Sequence, residues 1–395
     1  MRIAIACGGT GGHFFPGLAV GAECGRRGAE VMLIASKKSV DQESAQGEFE
    51  AEVRFLPAVG WMRGRRVGFV LGLIRSLLQC GLWFREWRPH RVLVMGGFTS
   101  LAPALMGRCF GARVYLHEAN AIPGRANRLL SRICHRLYVG FPVARSAFPG
   151  AEVFATGTPV REEFGQPLGA NHAEALGLRP EAPILLVMGG SQGARAINEL
   201  MLEVAPLLSA RHPSLQYIHL TGRQSSIELK VMYQRIGARF HLAEFARESS
   251  ILVRLATAVL SRAGASSVSE YAVSGLPGLL IPYPSAVDDH QRFNAEAFVR
   301  DGAALMLSQS EAVPEQVAQR LESLLFDQST RISMKAALGR WSSANAASRI
   351  VDDLLGSPES ETVSGGESSQ PGTPKGSGGR RENSRWDFEG WQTQI

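Results

Sequence analysis

Short apolar runs rich in β-branched residues alternate with longer helical stretches throughout the first 355 residues of the 395-residue chain. This alternation is typical of parallel βαβ units, in which a helix crosses back over the sheet after each strand. We therefore predict an α/β protein. Six strands are predicted in the first half: Ile3–Cys7, Val31–Ala35, Val53–Leu56, Val92–Met95, Val114–His117 and Leu137–Val139. The second half restarts with Ile184–Met188, Gln216–Leu220, His241–Glu244, Ala258–Ser261, Gly278–Ile281 and Ala304–Leu307.

Three of these strands end in a Gly-Gly pair that opens a polar turn before a helix. The sequences are IACGGTGGH from Ile5, VLVMGGFTS from Val92 and LLVMGGSQGA from Leu185, and their similarity favours two related halves. Such a turn presents backbone N–H groups at a helix N-terminus, where the helix dipole favours an anion. A single Gly-Gly pair can simply close a tight turn, but three at strand ends make that a poor explanation for all of them.

The chain is longer than one hydrophobic core usually supports, since domains average roughly 150 residues. Its 45% hydrophobic and 20% charged residues are those of a soluble globular protein. We predict Rossmann-like domains at 1–160 and 183–355, joined by a linker at 161–182. Residues 356–395 are poor in apolar side chains and rich in Gly, Ser, Pro and Glu, which predicts a disordered tail. The chain opens on a strand-like run without signal-peptide features, so we expect it to stay in the cytoplasm.

Basic residues are concentrated in the first half of the chain. Residues 1–160 hold 20 of the 42 Lys and Arg but only 10 of the 36 Asp and Glu. This excess favours an anionic partner such as phosphate or lipid headgroups. Charge alone does not exclude nucleic acid, but no zinc-finger or RRM-like signature occurs, so we expect no nucleic-acid partner. The five cysteines form no CxxC pair, and we interpret them as reduced thiols.

Common nucleotide-binding motifs are missing from the sequence. A dinucleotide fold requires an acidic residue at the end of its second strand, where this chain has Ser36, Lys37 and Lys38. No GxxxxGK[ST] sequence occurs, which excludes a P-loop NTPase, and the DxD motif of metal-dependent sugar transferases does not occur either. We expect neither a metal nor a cofactor. If a diphosphate leaves during the reaction, helix N-termini and Arg must stabilise its charge.

Seven motifs carry a resemblance to a known family. They are GGTGGHFFPGLAV from Gly8, MGGFTSLAPALM from Met95, LHEANAIPGRANR from Leu116, GTPVR from Gly157, GGSQGARAIN from Gly189, SRAGASSVSEYAVSGLP from Ser261 and DDHQRFNA from Asp288. In this order, from about residue 2 to about residue 355, they resemble the bacterial lipid II-forming GlcNAc transferases of glycosyltransferase family 28. Each motif alone is weak, but seven in register are specific.

The resemblance implies a GT-B architecture, in which two Rossmann-like domains face each other across a cleft. The first domain would bind the acceptor and the second the sugar nucleotide, and a last helix within 330–355 would cross back onto the first. It implies inverting transfer of GlcNAc from UDP-GlcNAc to the C4 hydroxyl of MurNAc in undecaprenyl-pyrophosphoryl-MurNAc-pentapeptide (lipid I). The product would be lipid II, the precursor of peptidoglycan.

His13 is predicted as the catalytic base. It follows the first glycine turn, where a helix begins near Pro16, so its imidazole would face the cleft. A helix N-terminus lowers the pKa of an imidazole, which keeps it neutral and able to take the proton of the acceptor hydroxyl near pH 7. The alternative is that His13 only binds a phosphate or fixes the turn.

The family pattern implies a further set of binding residues. Asn120 would face the GlcNAc, Arg161 the diphosphate, Glu270 both ribose hydroxyls, Gln291 the sugar hydroxyls and the backbone of Ala246 the uracil. Without the motifs, Glu270 and Arg161 would be interpreted as a solvated helical glutamate and a surface ion-pair member. The implied donor-binding residues are Thr10, Gly11, Gly12, Asn120, Arg161, Ser191, Ala246, Ala265, Ser266, Ser267, Val268, Ser269, Glu270 and Gln291. Those implied for the acceptor's diphosphate are Gly9, Gly96, Gly97, Phe98 and Thr99.

The most apolar stretch is Val67–Phe84, which contains Arg75 and Gln79 and has the minimum length for crossing a bilayer. It could span the membrane, lie on an anionic leaflet, or form a buried domain helix. The resembled family attaches peripherally through this region, which implies a location on the cytoplasmic face of the inner membrane. The basic residues that flank the stretch are Arg63, Arg65, Arg66, Arg85 and Arg88.

Three other functions remain open from the sequence. Two are enzymes on the same fold: another GT-B transferase with a lipid acceptor, such as a galactosyl-diacylglycerol synthase, and a UDP-GlcNAc 2-epimerase. The third is a non-catalytic protein that binds a nucleotide sugar at the membrane. The presence of His13, Glu270 and Gln291 together argues against this third function.

Overall fold

The computed structural model describes residues 1–8, 11–36, 52–57, 66–169, 171–189, 194–222, 226–246 and 248–356. Within these residues the chain forms two parallel β-sheets, the first before residue 156 and the second after residue 183. The predicted α/β class with two Rossmann-like sheets is therefore confirmed. Three site residues, Gly9, Thr10 and Ser191, and the whole predicted tail from residue 357 lie outside the described residues.

The first sheet has seven strands within the described part of the chain: β1 (Arg2–Ala6), β2 (Glu30–Ser36), β3 (Glu52–Leu56), β4 (Arg91–Val94), β5 (Arg113–Glu118), β6 (Arg136–Val139) and β7 (Val153–Ala155). They pair in the order β3-β2-β1-β4-β5-β6-β7, and every pair is parallel. The order reverses between β1 and β4. A reversal of this kind opens a crevice at the carboxyl ends of the strands.

The second sheet has six strands in the same described ranges: β8 (Ile184–Met188), β9 (Gln216–Leu220), β10 (Phe240–Ala243), β11 (Ala258–Ser261), β12 (Gly278–Leu280) and β13 (Leu305–Met306). Their order is β10-β9-β8-β11-β12-β13, again with parallel pairs. The order reverses between β8 and β11, so this sheet repeats the crevice of the first.

All twelve predicted strands occur, and none of their ends is shifted by more than one residue. The sequence did not predict β7, which has only three residues and lies at the edge of the first sheet. Its side chains are only partly buried, so it lacks the apolar run that marks a central strand.

Helices cover both faces of each sheet. None of the helices among the described residues combines the length and hydropathy needed to cross a membrane. The α-helices of the described residues are α1 (Gly11–Arg26), α2 (Arg66–Trp87), α3 (Leu101–Cys109), α4 (Arg125–Leu130), α5 (His172–Ala175), α6 (Arg195–Arg211), α7 (Ile227–Arg235), α8 (Ser249–Leu255), α9 (Ala265–Ser274), α10 (His290–Arg300), α11 (Pro314–Phe326), α12 (Gln328–Trp341) and α13 (Ala346–Leu355).

The strands are buried on both sides, which explains their continuous apolar sequences. In β1, Ile3 and Ile5 pack into one layer of side chains, whereas Ala4 and Ala6 pack into the layer on the opposite face. All four are fully buried. Burying one isoleucine side chain contributes roughly 1.5–3 kcal/mol, so each central strand fixes two hydrophobic layers at once.

The last helix, α13, packs against the first sheet domain although it follows the second in sequence. Ile350, Val351 and Leu354 join the same hydrophobic layer as Ile3. Tyr138 Oη in β6 donates a hydrogen bond to Asp353 Oδ2 at 2.5 Å, and Arg136 pairs with the same carboxylate. The crossing that the resemblance implied for 330–355 is therefore made by α13, whereas α12 stays with the core of the second domain through Met334, Ala337 and Leu338.

Candidate active site

Loops that follow the strands of the two sheets meet across a cleft. Ser266 Oγ, at the start of α9, donates a hydrogen bond to the Gly12 carbonyl at the start of α1 at 3.0 Å. The loop after β5 meets α10, because Asn294 Oδ1 accepts the backbone N–H of Ala121 at 2.8 Å. These loops follow the carboxyl ends of β1, β5, β11 and β12. The cleft therefore lies where α/β folds bind their ligands.

His13 lies in the first turn of α1, and its imidazole packs against the glycine turn that follows β4. A Cβ atom built on Gly96 would lie 3.3 Å from His13 Nε2, and one built on Gly97 would lie 3.3 Å from its Cε1. Both glycines have positive φ, +101° and +77°, which L side chains rarely adopt. The bare backbone therefore lets the imidazole lie directly against the turn.

The turn after β4 is held by its own hydroxyl groups. Ser100 Oγ donates to the Gly96 carbonyl at 2.7 Å and accepts from the Gly96 N–H at 3.1 Å. Thr99 Oγ1 donates to the Gly8 carbonyl at 2.5 Å, which joins this turn to the one after β1. Phe98, partly buried, begins the short 3₁₀ turn Phe98–Ser100. The structure thus brings the described part of the predicted acceptor-diphosphate set next to His13.

Glu118, at the end of β5, is a buried carboxylate that accepts four hydrogen bonds. Its Oε1 accepts the backbone N–H of Asn120 at 2.8 Å and the Asn120 Nδ2 at 3.1 Å. Its Oε2 accepts the backbone N–H of Gly124 at 3.1 Å and the Asn127 Nδ2 at 2.8 Å. Burial raises the pKa of Glu118 above its usual value, and these hydrogen bonds oppose that rise. The carboxylate thereby fixes the loop that carries Asn120.

Asn120 faces the second domain, as its predicted role requires. Its Oδ1 accepts a hydrogen bond from Asn294 Nδ2 at 3.2 Å, and the same nitrogen also donates to the Ala263 carbonyl at 3.2 Å. Asn294 is fully buried between the two domains. The predicted sugar contact therefore lies at a point where the first domain touches the second.

His117 lies beside Glu118 and is buried as a neutral imidazole. Its Nε2 donates to the Gly157 carbonyl at 3.2 Å. Burial lowers the pKa of His117 to about 4, and the nearby His13 contributes to that shift. His117 therefore adds no positive charge to the cleft near neutral pH.

The predicted donor loop forms the first turns of α9. Gly264 precedes the helix in an extended conformation, and α9 begins at the cleft, where Ser266 contacts Gly12. The first N–H groups of a helix have no partner within it and can bind an anion. Of the predicted side chains, Ala265, Val268 and Ser269 are buried, and Ser269 Oγ donates back to the Ala265 carbonyl at 2.9 Å. Ser266 and Ser267 are partly exposed. A ligand here would meet the backbone of the buried residues rather than their side chains.

Glu270 and Arg161 provide the charged groups near this loop. Burial raises the pKa of Glu270 to about 7, and the positive charge of Arg161 opposes the rise. The Arg161 guanidinium stacks over Phe15 of α1 at 4.9 Å and over Phe164 at 5.2 Å, and it donates to Ser249 Oγ at 3.1 Å. Its buried Nε has no hydrogen-bond partner among the described residues.

Gln291 and Ala246 complete the predicted set on the second domain. Gln291 Oε1 accepts the backbone N–H groups of Tyr283 at 3.0 Å and Ala263 at 3.3 Å. Both bonds use the side-chain carbonyl oxygen, so Nε2 of the same amide points away from these two backbone N–H groups. Ala246, just after β10, is partly buried against the core of the second domain.

The structure adds Glu118, Asn127 and Asn294 to the cleft, which the sequence did not single out. All three lie inside the quoted motifs LHEANAIPGRANR and DDHQRFNA. Their presence in these motifs is the only sequence signal for them. Their contacts join elements far apart in the chain, and a local sequence pattern cannot predict such contacts.

Comparisons with known proteins agree with this geometry. Residues 3–139 match the N-terminal domain of glycosyltransferase family 28, and residues 184–353 match its C-terminal domain. A relative from Xanthomonas axonopodis pv. citri (strain 306) is 34% identical over 376 residues, which cover 93% of this chain and 86% of the relative. It is named UDP-N-acetylglucosamine–N-acetylmuramyl-(pentapeptide) pyrophosphoryl-undecaprenol N-acetylglucosamine transferase. The chain belongs to this transferase family. The predicted family and glycosyltransferase class are thereby confirmed.

Solved structures of different enzymes share the fold of this chain. MurG of Acinetobacter baumannii superimposes with a TM-score of 0.68 at 24% identity, over 90% of this chain and 99% of that one. A UDP-GlcNAc 2-epimerase from Neisseria meningitidis bound to UDP-GlcNAc gives 0.67 at 15% identity, over 90% and 100%. Because transferase and epimerase score alike, these likenesses establish the GT-B fold, and the family rests on the sequence relatives.

Proposed function

We propose that this protein transfers GlcNAc from UDP-GlcNAc to the C4 hydroxyl of MurNAc in lipid I, with inversion at the anomeric carbon, to give lipid II. The observation that carries this proposal is the contact between Ser266 and Gly12. It places the start of the donor helix α9 against the turn that bears His13, so a sugar diphosphate held by the second domain would lie beside the imidazole of the first.

The proposed reaction is one displacement at the anomeric carbon. The O4 atom of MurNAc forms a bond to C1 of GlcNAc while the bond from C1 to the β-phosphate oxygen breaks. The O4 proton passes to the His13 imidazole, and UDP leaves with the electron pair. Negative charge then grows on the diphosphate, where Arg161 and the backbone N–H groups of α9 would stabilise it.

Recognition of the donor would be divided among three second-domain groups. The Glu270 carboxylate would accept hydrogen bonds from the ribose hydroxyls, and the backbone of Ala246 would meet the uracil. Gln291 would donate through Nε2, since its Oε1 already accepts two backbone N–H groups. Asn120 would contact GlcNAc from the first domain. Ser191 and Thr10 keep their predicted roles at the phosphates.

We also propose that α2 attaches the protein to the cytoplasmic surface of the inner membrane without crossing it. Val70, Leu71, Ile74, Leu78 and Leu82 are exposed and recur at helical spacing on one side of α2. Such a continuous apolar strip is costly in water but favourable in the headgroup region of a bilayer. Exposed arginines on or next to the same helix suit an anionic leaflet, and these are Arg75, Arg85 and Arg88.

The transfer is tested with the full chain, UDP-GlcNAc and a short-chain lipid I analogue in EDTA, with UDP release measured. We expect acceptor-dependent UDP release and a β-linked disaccharide product. Conversion of UDP-GlcNAc without acceptor would instead support the epimerase. Binding of UDP-GlcNAc with no turnover would support the non-catalytic alternative. For the membrane surface, high salt should release the protein from anionic vesicles, and salt-resistant retention would contradict peripheral attachment.

A further inference from the structure

Asn127 is a buried amide on α4 whose two polar atoms are used unequally. Only 3% of the residue is exposed. Its Nδ2 donates to Glu118 Oε2 at 2.8 Å. Its Oδ1 is buried and has no hydrogen-bond partner within the described part of the chain. An unpaired buried acceptor destabilises a fold unless a ligand or an ordered water supplies the missing donor.

Glu118 fixes which way this amide points. The carboxylate accepts four N–H groups, two on each oxygen, so the side facing Asn127 requires a donor. Only Nδ2 of Asn127 can fill that position, because the carbonyl oxygen would face another oxygen. The amide is therefore held with Oδ1 turned away from Glu118.

The unpaired oxygen lies beside the proposed base. A Cβ atom built on Gly96 would lie 2.7 Å from Asn127 Nδ2, 3.2 Å from Asn127 Oδ1 and 3.3 Å from His13 Nε2, so the amide and the imidazole both pack against Gly96. Only glycine fits this position, because its φ is +101° and a Cβ atom would overlap the Asn127 amide, and this close packing holds Oδ1 near the imidazole. The Oδ1 atom is thus presented where a group close to the reacting hydroxyl would lie.

We propose that Asn127 binds the acceptor sugar: its Oδ1 accepts a hydrogen bond from the C6 hydroxyl of MurNAc while the C4 hydroxyl lies at His13. This inference rests on the proposed function. In lipid I the C1 position carries the diphosphate and C3 the lactyl ether, so C4 and C6 bear the free hydroxyls. The C4 proton goes to the base, and the C6 hydroxyl is the nearest remaining O–H donor. Glu118 acts as the positioning residue that orients the amide.

The test combines a protein variant with a substrate analogue. The kcat/KM for acceptor is measured for wild type and Asn127→Ala, with a short-chain lipid I analogue and with its 6-deoxy-MurNAc counterpart. We expect wild type to prefer the parent acceptor about tenfold or more, equivalent to about 1.4 kcal/mol. Asn127→Ala should lose about tenfold with the parent and show no preference between the two, while its KM for UDP-GlcNAc stays unchanged.

Leu130→Ala is the matched control, because Leu130 is a buried residue of the same helix without a polar group. It should lower the melting temperature yet keep the wild-type preference for the parent acceptor. The inference is overturned if Asn127→Ala still prefers the parent acceptor tenfold, or if wild type does not distinguish the two acceptors. The wild-type comparison needs no variant, so poor folding of Asn127→Ala cannot hide the result. A wild type that releases no UDP with the parent acceptor would refute the proposed function itself.

Discussion

The two domains share a doubly wound fold but prepare their sides of the cleft differently. On the first domain, Glu118 accepts four N–H groups and Thr99 joins the two glycine turns, while Asn127 Oδ1 has no partner among the described residues. On the second, Glu270 has few such partners, so burial raises its pKa to about 7. The nearby Arg161 keeps a buried Nε without a partner in the described ranges. The glycine turns and the Asn120 loop are therefore preformed, whereas Glu270 and Arg161 would gain partners from a bound ligand.

The outer surfaces of the domains differ as well. On the first domain, five large apolar side chains of α2 are exposed along one side of a single helix. On the second, such side chains are exposed only singly or in pairs among the described residues, such as Ile227 and Val231 on α7 and Ile332 on α12. Scattered apolar residues are ordinary on protein surfaces, but a continuous strip on one helix points to a binding surface.

The largest expected effect concerns the preformed side. His13→Ala should lower kcat by about 100-fold or more, because a positioned base contributes 10²–10⁴ to such reactions. The KM for UDP-GlcNAc should change little, since most donor contacts are proposed on the second domain. Steady-state kinetics with the lipid I analogue measure both values. The control is His172→Ala, which changes a partly buried histidine of α5. Near-wild-type turnover would remove His13 from the mechanism.

The second prediction sharpens the contrast between the outer surfaces. Leu78 and Leu82 are each 67% exposed on α2, so Leu78→Asn with Leu82→Asn should weaken binding to anionic vesicles about tenfold or more. Vesicle co-sedimentation provides the measurement. Ile332→Asn on α12, a position that is 60% exposed, should leave binding within about twofold. Equal losses from both variants would mean that α2 is not the attachment surface.

The third prediction concerns the unpaired donor side. The pKa of Glu270 is raised to about 7, so its carboxylate is ionised at pH 8 and mostly neutral at pH 6. Ribose hydroxyls donate to the ionised form, so the KM for UDP-GlcNAc should rise about tenfold as the pH falls from 8 to 6. Glu270→Gln should give a higher KM that is flat over this range. A wild-type KM that is independent of pH would exclude the carboxylate as the ribose contact.

Most of the fold could be predicted from the sequence because its signals are local. Buried parallel strands have continuous apolar sequences, and all the strands except β7 were located to within a residue. The edge strand β7 could not be located, because its three apolar residues stand between Glu152 and Thr156, whereas the equally exposed edge strand β13 lies within the longer apolar run Ala303–Leu307. The motifs predicted that His13, Asn120, Arg161 and Glu270 would line one cleft. They could not show that Glu118 orients Asn127, since that depends on contacts made only in the folded chain.

The smallest expected effect concerns the helix that ties the two domains together. Asp353 of α13 is the partner of Tyr138 and Arg136 in the first domain, and its side chain is only 12% exposed. Asp353→Ala should lower the free energy of unfolding by about 1–3 kcal/mol, because it leaves a buried Tyr138 hydroxyl without its acceptor. Thermal unfolding with and without UDP-GlcNAc measures this. The neighbouring Asp352, 40% exposed and paired with Arg27, is the control, and Asp352→Ala should cost at most about 1 kcal/mol. If Asp353→Ala instead splits one unfolding transition into two, α13 is what makes the two domains unfold together. Equal, small effects of both variants would show that apolar packing by Ile350, Val351 and Leu354 suffices to hold the helix.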